Sequence, residues 1–191
     1  MPHIHVLDQI TIDKIAAGEV IERPASIVKE LVENAIDAGS TSVKIEIKDG
    51  GISFIRITDN GCGIPQDEVQ RAFLRHSTSK IETVEDLSHI ASLGFRGEAL
   101  SSIAAVTRTE LITKTADAEF GTRYVIEGGK EVSLEDTGAP NRDNFPRPSV
   151  ILQCSCEKKI FENTNDRGRT CAGSINASCP VSSGSCFSVF K

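Results

Sequence analysis

The chain has 191 residues, a formal net charge of −6 and six cysteines. This length allows one domain with a real hydrophobic core. No apolar run is long enough to cross a bilayer, and no signal peptide opens the chain, so we expect a cytoplasmic protein with no membrane partner. Residues 1–141 hold 23 acidic residues against 14 basic ones, so composition gives no reason to expect a nucleic-acid partner.

The cysteines are distributed unevenly along the chain. One, Cys62, lies in the acidic body, and the other five follow residue 141, at Cys154, Cys156, Cys171, Cys179 and Cys186. Their spacings match no common zinc-binding pattern, and an odd number cannot all pair in disulfides. They therefore give little support to a metal site.

Two helices are predicted first. Asp8 to Glu19 reads as a short helix with Asp8 as its cap and with Ile10, Ile15 and Ala16 facing inward. A second helix begins at Pro24, which suits a first helical turn, and ends at Gly39. Its apolar residues recur at helical spacing and predict a broad buried face.

The second helix also carries a polar stripe. Glu30, Asn34 and Asp37 stand at spacings of four and three, so they share one side of the helix. A carboxylate and a carboxamide in line could orient a water molecule and ligate Mg²⁺, which prefers oxygen ligands. Taken alone, the stripe is more typical of a solvated face of an amphipathic helix.

A β-hairpin and a glycine-rich loop follow. Ser42–Lys48 and Ile52–Thr58 predict paired strands around an Asp-Gly-Gly turn. The loop after them begins at Asp59, which could accept a hydrogen bond from the amino group of adenine. Gly61 and Gly63 permit close approach of the backbone to a ligand. The alternative is an ordinary turn after a strand.

The next segments alternate between helices and loops. Gln66–Leu74 predicts a helix, and the polar segment after it contains Lys80 and either closes over an anion or simply connects. Gly94 to Gly97 then opens a helix through Ala105, where free backbone N–H groups and Arg96 could bind phosphates. No Walker A pattern is present.

Three further strands complete this part of the chain, at Thr107–Thr115, Thr122–Glu127 and Lys130–Leu134. The order of helix, strand pair, glycine loop and antiparallel strands predicts an α+β fold and excludes a simple Rossmann unit.

In this order the segments resemble the MutL family of DNA mismatch-repair proteins, within the GHKL, or Bergerat-fold, ATPases. The residues that carry the resemblance are Ile15–Pro24 (IAAGEVIERP), Lys29–Gly39 (KELVENAIDAG), Asp59–Ile64 (DNGCGI), His76–Ile81 (HSTSKI) and Leu93–Leu100 (LGFRGEAL). The first and last of these argue against a gyrase-like or chaperone-like member. The resemblance implies helices over a mixed, mainly antiparallel sheet, truncated after Asn141.

The resemblance also implies ATP and Mg²⁺ as cofactors and gives roles to individual residues. Glu30 is expected to be the general base for the attacking water, with Glu33 as second candidate, and Asn34 the Mg²⁺ ligand. Asp59 is expected to bind adenine. The other residues expected to contact the nucleotide are Asp37, Gly61 and Gly63, the lid residues Thr78, Ser79 and Lys80, and the phosphate loop Gly94, Phe95, Arg96, Gly97, Glu98, Ala99 and Leu100.

For the whole family protein, the resemblance implies an ATP-dependent matchmaker between mismatch recognition and downstream repair. Its expected partners are DNA, a mismatch-recognition protein and a second MutL subunit in a homodimer. The expected location is the bacterial cytosol, in association with the nucleoid during repair.

Residues 142–191 do not continue the resemblance. Codons for Arg142–Phe145 can be chosen so that, read one base later, they spell the G-T-T-F expected in the family. Those for Leu152–Asn163 likewise yield Y-N-V-P-A-R-K-R-F-L-K. We therefore interpret residues 142–191 as a frameshift product, non-homologous and disordered, after an incomplete ATPase domain at residues 1–141.

This interpretation has consequences for activity. The element that closes the nucleotide site, a lysine expected to reach the γ-phosphate and the carboxy-terminal dimerisation region are all replaced or absent, and an unpaired sheet edge is expected. The chain is then a MutL ATPase fragment with weak or undetectable nucleotide binding and no turnover. The alternative is a non-enzymatic remnant.

Overall fold

A computed structural model describes residues 3–80, 97–138, 150–156 and 185–190. The helices are α1 (Gln9–Val20), α2 (Pro24–Asp37), α3 (Gln66–Ala72) and α4 (Ala99–Val106). The strands are β1 (Ser42–Lys48), β2 (Phe54–Asp59), β3 (Thr107–Thr113), β4 (Gly121–Glu127), β5 (Lys130–Thr137), β6 (Val150–Cys156) and β7 (Ser185–Phe190). They form one sheet in the order β5-β4-β3-β6-β2-β1-β7.

The helices and the sheet enclose one hydrophobic core, which confirms the α+β class. Side chains that alternate along the strands point to the helices, among them Ile45 of β1, Ile57 of β2 and Leu111 of β3. They meet Ile27 and Leu31 on the apolar face of α2. Each pairing between described strands is antiparallel, so the sheet is not mixed in this part of the chain.

The first helix is capped as predicted but faces a different way. Asp8 accepts a hydrogen bond from the backbone N–H of Thr11 at 2.8 Å, which confirms it as the cap. Ile10 and Ile15 were predicted to face inward, but they are 47% and 53% exposed, whereas Ala17 is fully buried. The small side chain of Ala17 lets α1 pack closely, and the larger residues remain outside.

The first strand has the predicted bounds, and the second begins later than predicted. Asp49–Gly51 forms a turn of 3-10 helix, and the hydroxyl of Ser53 donates to the carboxylate of Asp49 at 2.5 Å. This local bonding keeps Ile52 and Ser53 in the turn, so β2 starts at Phe54.

The central strand of the sheet comes from a segment expected to lie outside the fold. β6 pairs with β2 on one side and with β3 on the other, where an unpaired edge was predicted. Leu152 and Cys154 are buried, and Gln153 on the opposite face accepts a hydrogen bond from Arg56 at 2.8 Å. The alternation of buried and half-buried residues is short in β6, so it is a weak sequence signal. It is sufficient for a strand here because β2 and β3 offer unpaired backbone groups on both sides.

A second piece of the same carboxy-terminal stretch also joins the sheet. β7 pairs with β1 over six residues, from Ser185 opposite Ile47 to Phe190 opposite Ser42. Residues 139–149 and 157–184 lie outside the described part of the chain. The boundary at Asn141 and the frameshift remain predictions. Across the described residues, no helix has the length and apolarity needed to span a membrane.

Candidate nucleotide site

The polar stripe of Glu30, Asn34 and Asp37 lies on α2, and Lys29 joins Glu30 of the stripe to the neighbouring Glu33. Glu30 and Glu33 keep 20% and 18% of their side-chain surface exposed. Lys29 donates to Glu30 at 3.2 Å and forms an ion pair with Glu33 at 3.0 Å. The bond to Glu33, followed by that to Glu30, raises the pKa of Lys29. Both candidate bases therefore share one cation.

The carboxyl end of α2 closes with a reversal that the sequence only suggested through Gly39. The N–H of Gly39 donates to the carbonyl of Ile36 at 2.9 Å, and that of Ser40 donates to the carbonyl of Ala35 at 3.0 Å. These two bonds form a Schellman motif. The motif turns the chain from the helix directly into β1 and leaves Ser40 buried below it.

Asp59 is the buried carboxylate of the site. It ends β2 with 5% of its surface exposed. Its Oδ1 accepts hydrogen bonds from the hydroxyl of Ser40 at 2.9 Å and from the N–H of Gly61 at 2.8 Å. Burial raises the pKa of Asp59, and the two hydrogen bonds oppose that rise. An acceptor of this kind suits an amino group as ligand.

The loop after Asp59 is fastened to the start of β1. Asn60 accepts from the N–H groups of Thr41 and Ser42, both at 2.9 Å, and donates to the hydroxyl of Thr41 at 2.9 Å. The N–H of Cys62 donates to the carbonyl of Ala38 at 3.1 Å. The loop is thus a fixed structure and not merely a glycine-rich turn.

Gly63 occupies a position that only glycine fits. Its φ is +78°, and a Cβ there would lie 2.3 Å from the carbonyl oxygen of Lys114. The next residue, Ile64, donates its N–H to the hydroxyl of Thr113 at 2.8 Å. The glycine loop therefore packs directly on the end of β3.

The segment from His76 to Lys80, here called the strap, follows α3 in the chain and contacts the start of α4 at one end and the last residue of α2 at the other. At one end His76 lies 3.3 Å from a carboxylate oxygen of Glu98, and Ser77 packs so closely on Gly97 that a Cβ there would lie 2.4 Å from the Ser77 carbonyl oxygen. At the other end Lys80 pairs with Asp37 at 2.5 Å. The strap brings Lys80 to Asp37 of the polar stripe, and the Thr78 hydroxyl accepts a hydrogen bond from the N–H of Lys80 at 3.1 Å.

Only part of the predicted phosphate loop falls in the described chain. Gly94, Phe95 and Arg96 lie outside it. Gly97 has a φ of +62° and precedes α4, in which Ala99 and Leu100 form the first turn. Glu98 stands at the cap position and makes no side-chain cap hydrogen bond, so its carboxylate is left for His76.

Comparisons with known proteins identify the family. Residues 22–135 match the family described as histidine kinase-, DNA gyrase B- and HSP90-like ATPase. The chain belongs to this family of ATPases. The match includes α2, the Asp59 loop, the strap and α4, which are the elements that make up the site.

Within the ATPase family, the relatives are DNA mismatch repair proteins of the MutL type. The chain is 62% identical over 168 residues to MutL of Agathobacter rectalis, an alignment that covers 88% of this chain and 26% of the relative. It is 45% identical over 191 residues to MutL of Caldanaerobacter subterraneus, covering 100% of this chain and 32% of the relative. The chain thus spans about a quarter to a third of the length of these relatives.

A solved structure supports the same fold. It is the crystal structure of the amino-terminal domain of a DNA repair protein, 31% identical, with a TM-score of 0.58 over 76% of this chain and 39% of that chain. The sequence resemblance to MutL-type ATPases is therefore confirmed, and so is the arrangement of helices over a mainly antiparallel sheet, whereas the truncation after Asn141 stays a prediction.

Sequence analysis did not identify several residues that shape this candidate site. Ser40, Asn60, Thr113 and the pair of His76 with Glu98 all help to shape it. Ser40 could have been noticed as the residue after a helix-ending glycine, where the chain reverses. The other contacts join residues far apart in sequence, so no local pattern indicates them.

Proposed function

We propose that the chain binds ATP between α2, the Asp59 loop and the amino-terminal end of α4, as the nucleotide module of a MutL-type mismatch-repair ATPase. The observation that carries this proposal is the buried carboxylate of Asp59 at the end of β2, beside the helix that bears Glu30 and Asn34. Burial of a carboxylate costs stability, so buried carboxylates are often found at functional sites.

Asp59 would recognise the adenine. Its Oδ2 makes no hydrogen bond with the described residues, whereas Oδ1 makes both of the bonds found. An ionised carboxylate oxygen accepts a hydrogen bond from the amino group of adenine and would reject the carbonyl at the same position of guanine. Gly61 and Gly63 would bring the backbone close to the base.

Glu30 would accept a proton from the water that attacks the γ-phosphate. Its side chain is only 20% exposed and forms an ion pair with Lys29, so as a carboxylate it can take a proton as the water attacks. Glu33 pairs with the same lysine and is the matched alternative. Asp37, further along the stripe, would stay paired with the strap or turn towards the nucleotide.

Mg²⁺ would be held by Asn34 together with phosphate oxygens and water. Among the described residues, no three metal-ligating side chains of His, Cys, Asp or Glu come together. The carboxamide oxygen of Asn34 fits Mg²⁺, which commonly takes one or two protein oxygens and completes its octahedron with phosphates and water. The ion supplies neutralisation of phosphate charge when it is bound.

The phosphates would lie at the start of α4. Gly97 gives the backbone its left-handed turn, and the first N–H groups of the helix, from Glu98 to Leu100, favour an anion. Arg96 would add a positive charge, with Gly94 and Phe95 completing the loop. Lys80 of the strap, with Thr78 and Ser79, would close over the phosphates.

In the longer protein, this module would couple ATP to mismatch repair. We propose DNA, a mismatch-recognition protein and a second MutL-type subunit as partners of that protein, in the cytosol. We propose that this chain binds ATP but turns it over far more slowly than a version with the reading frame restored after Asn141, because the closing element and the γ-phosphate lysine expected there are replaced.

Two measurements test the proposal. Isothermal titration should show ATP binding by the 191-residue chain, and hydrolysis should rise strongly in a version whose reading frame is restored after Asn141. Absence of ATP binding would contradict the site. Equal hydrolysis by the two versions would show that residues 142–191 replace what the longer protein supplies.

The proposed frameshift is tested separately, at the level of the gene. Sequencing through codon 141 should reveal an open frame one base over that encodes the missing family segments. An alternative frame interrupted by stop codons would contradict it.

A further inference from the structure

We infer that Ser40 is a positioning residue, which fixes the carboxylate of Asp59 so that its second oxygen faces the amino group of the base. This inference rests on the proposed function, because it takes Asp59 as the residue that reads adenine. No pattern in the sequence pointed to Ser40.

The two oxygens of Asp59 are used unequally. Oδ1 accepts from the Ser40 hydroxyl at 2.9 Å and from the Gly61 N–H at 2.8 Å, and Oδ2 accepts from none of the described residues. The terminal torsion of an aspartate is broad and roughly two-fold, so the backbone alone does not set the plane of the carboxylate. Two donors on one oxygen do set it.

The position of Ser40 is itself fixed by helix α2. Its N–H donates to the carbonyl of Ala35 at 3.0 Å in the reversal that ends α2, and 8% of its surface is exposed. The same helix carries Glu30 and Asn34. The carboxylate that reads the base is therefore held in register with the helix that would act on the γ-phosphate.

The surroundings leave the hydroxyl little freedom to move. A Cβ on Gly61 would lie 2.7 Å from the Cβ of Ala38 and 2.8 Å from the hydroxyl oxygen of Ser40. The N–H of Cys62 is tied to the carbonyl of Ala38 at 3.1 Å. Close packing of this kind keeps Ser40 in reach of Asp59 and excludes any side chain from position 61.

The bond also favours the ionised form of Asp59. Burial raises the pKa of this carboxyl, and the hydrogen bonds from Gly61 and Ser40 lower it. A protonated Asp59 would offer a donor where the adenine amino group needs an acceptor. Loss of the Ser40 hydroxyl thus weakens recognition through both orientation and charge.

The test compares ATP with purine riboside triphosphate, which lacks the amino group, on the full 191-residue chain. The affinity ratio of the two nucleotides measures the contribution of the amino group. In Ser40→Ala we expect ATP affinity to fall about fivefold to twentyfold, with little change for the analogue, because the variant weakens the hydrogen bond from the adenine amino group without removing its acceptor. A merely structural defect would weaken both nucleotides alike.

Thr41→Ala is the matched control. It removes a hydroxyl from the same turn, and that hydroxyl is bonded to Asn60 and not to Asp59. Its affinity ratio should equal that of the unaltered chain. If Ser40→Ala melts before binding can be measured, Ser40→Cys, a weaker donor of similar size, carries the same comparison. An unchanged ratio in the serine variant would overturn the inference. Absence of ATP binding by the unaltered chain would instead contradict the proposed function, and this inference with it.

Discussion

The turn between α2 and β1, with the Asp59 loop bonded to it, and the central strand β6 are held in different ways. In the turn, backbone and side-chain groups such as Ser40 and Asp59 bond across 19 residues of chain. In β6, Gln153 meets Arg56 across 97 residues. The first region is held by hydrogen bonds between two nearby segments, whereas the second is held mainly by backbone pairing with β2 and β3.

This difference distinguishes residues proposed to bind the nucleotide from residues that stabilise the fold. The turn carries groups proposed to bind the nucleotide, and it is held by hydrogen bonds between residues 38–42 and residues 59–62. The strand supplies the buried side chains of Leu152 and Cys154 and backbone pairing with β2 and β3. Changes in the first region should alter chemistry, and changes in the second should alter folding.

The largest effect is expected at Glu30. In the version with its frame restored after Asn141, Glu30→Ala should keep ATP binding and lose hydrolysis by about 10²–10⁴-fold, the usual contribution of a general base. Measurement of ATP turnover and of nucleotide affinity separates the two. Glu33→Ala is the control, because Glu33 shares Lys29 with Glu30. Normal turnover in Glu30→Ala with loss in Glu33→Ala would reverse the assignment.

Asn34→Ala, in the same version, should instead lose the Mg²⁺-dependent part of ATP binding.

The next largest effect tests the place of β6. Leu152 is 4% exposed in the centre of the sheet, so Leu152→Ala in the 191-residue chain should lower the free energy of unfolding by about 2–4 kcal/mol. Urea denaturation measures this. Ile151→Ala, on the opposite and half-buried face, should cost clearly less. An unchanged midpoint in Leu152→Ala would show that this segment lies outside the fold, as the sequence suggested.

Asp59→Asn should trade function for stability. We expect ATP affinity to fall about 10-fold to 100-fold, because an acceptor for the amino group is weakened or lost. Burial raises the pKa of Asp59 above 3.8, so the ionised form costs stability in the folded state. The variant should therefore be more stable than the unaltered chain at pH 7.

The pH dependence checks the sign of this effect. The raised pKa favours folding fully below the unfolded value of 3.8, and this contribution is lost as pH rises through the folded pKa. The stability gap between Asp59→Asn and the unaltered chain should thus shrink as pH falls from 7 towards 4. A gap that widened on acidification would contradict the burial argument.

The smallest effect is expected for the strap. Asp37 and Lys80 pair with side chains only 19% and 18% exposed, so a double-mutant cycle with Asp37→Asn and Lys80→Met should give a coupling energy of about 0.5–1 kcal/mol. The exposed pair of Arg108 and Glu127, at 3.5 Å, should give close to none. Equal coupling in both pairs would argue that the strap is not anchored.

The sequence predicted the first strand and the periodicity of α2 better than it predicted the centre of the sheet. The periodicity of α2 and the strand β1 were correct, because apolar spacing, caps and glycines act within a few residues of each other. The same rules failed for α1, where Ile10 is exposed, since periodicity does not say which side meets a neighbour. They failed again for β6, whose few alternating residues become a strand only beside β2 and β3.

By itself, the sequence determined the family, the polar stripe of α2 and the position of Asp59 at the end of a strand. Only the tertiary structure decided that Ser40 and Gly61 bond the same oxygen of Asp59, that the strap joins Glu98 to Asp37, and that Val150–Cys156 completes the sheet. The physical reason is range. Helical periods and caps are satisfied within one or two turns, whereas the donor for a buried carboxylate and the partners of a central strand are fixed only when distant parts of the chain meet.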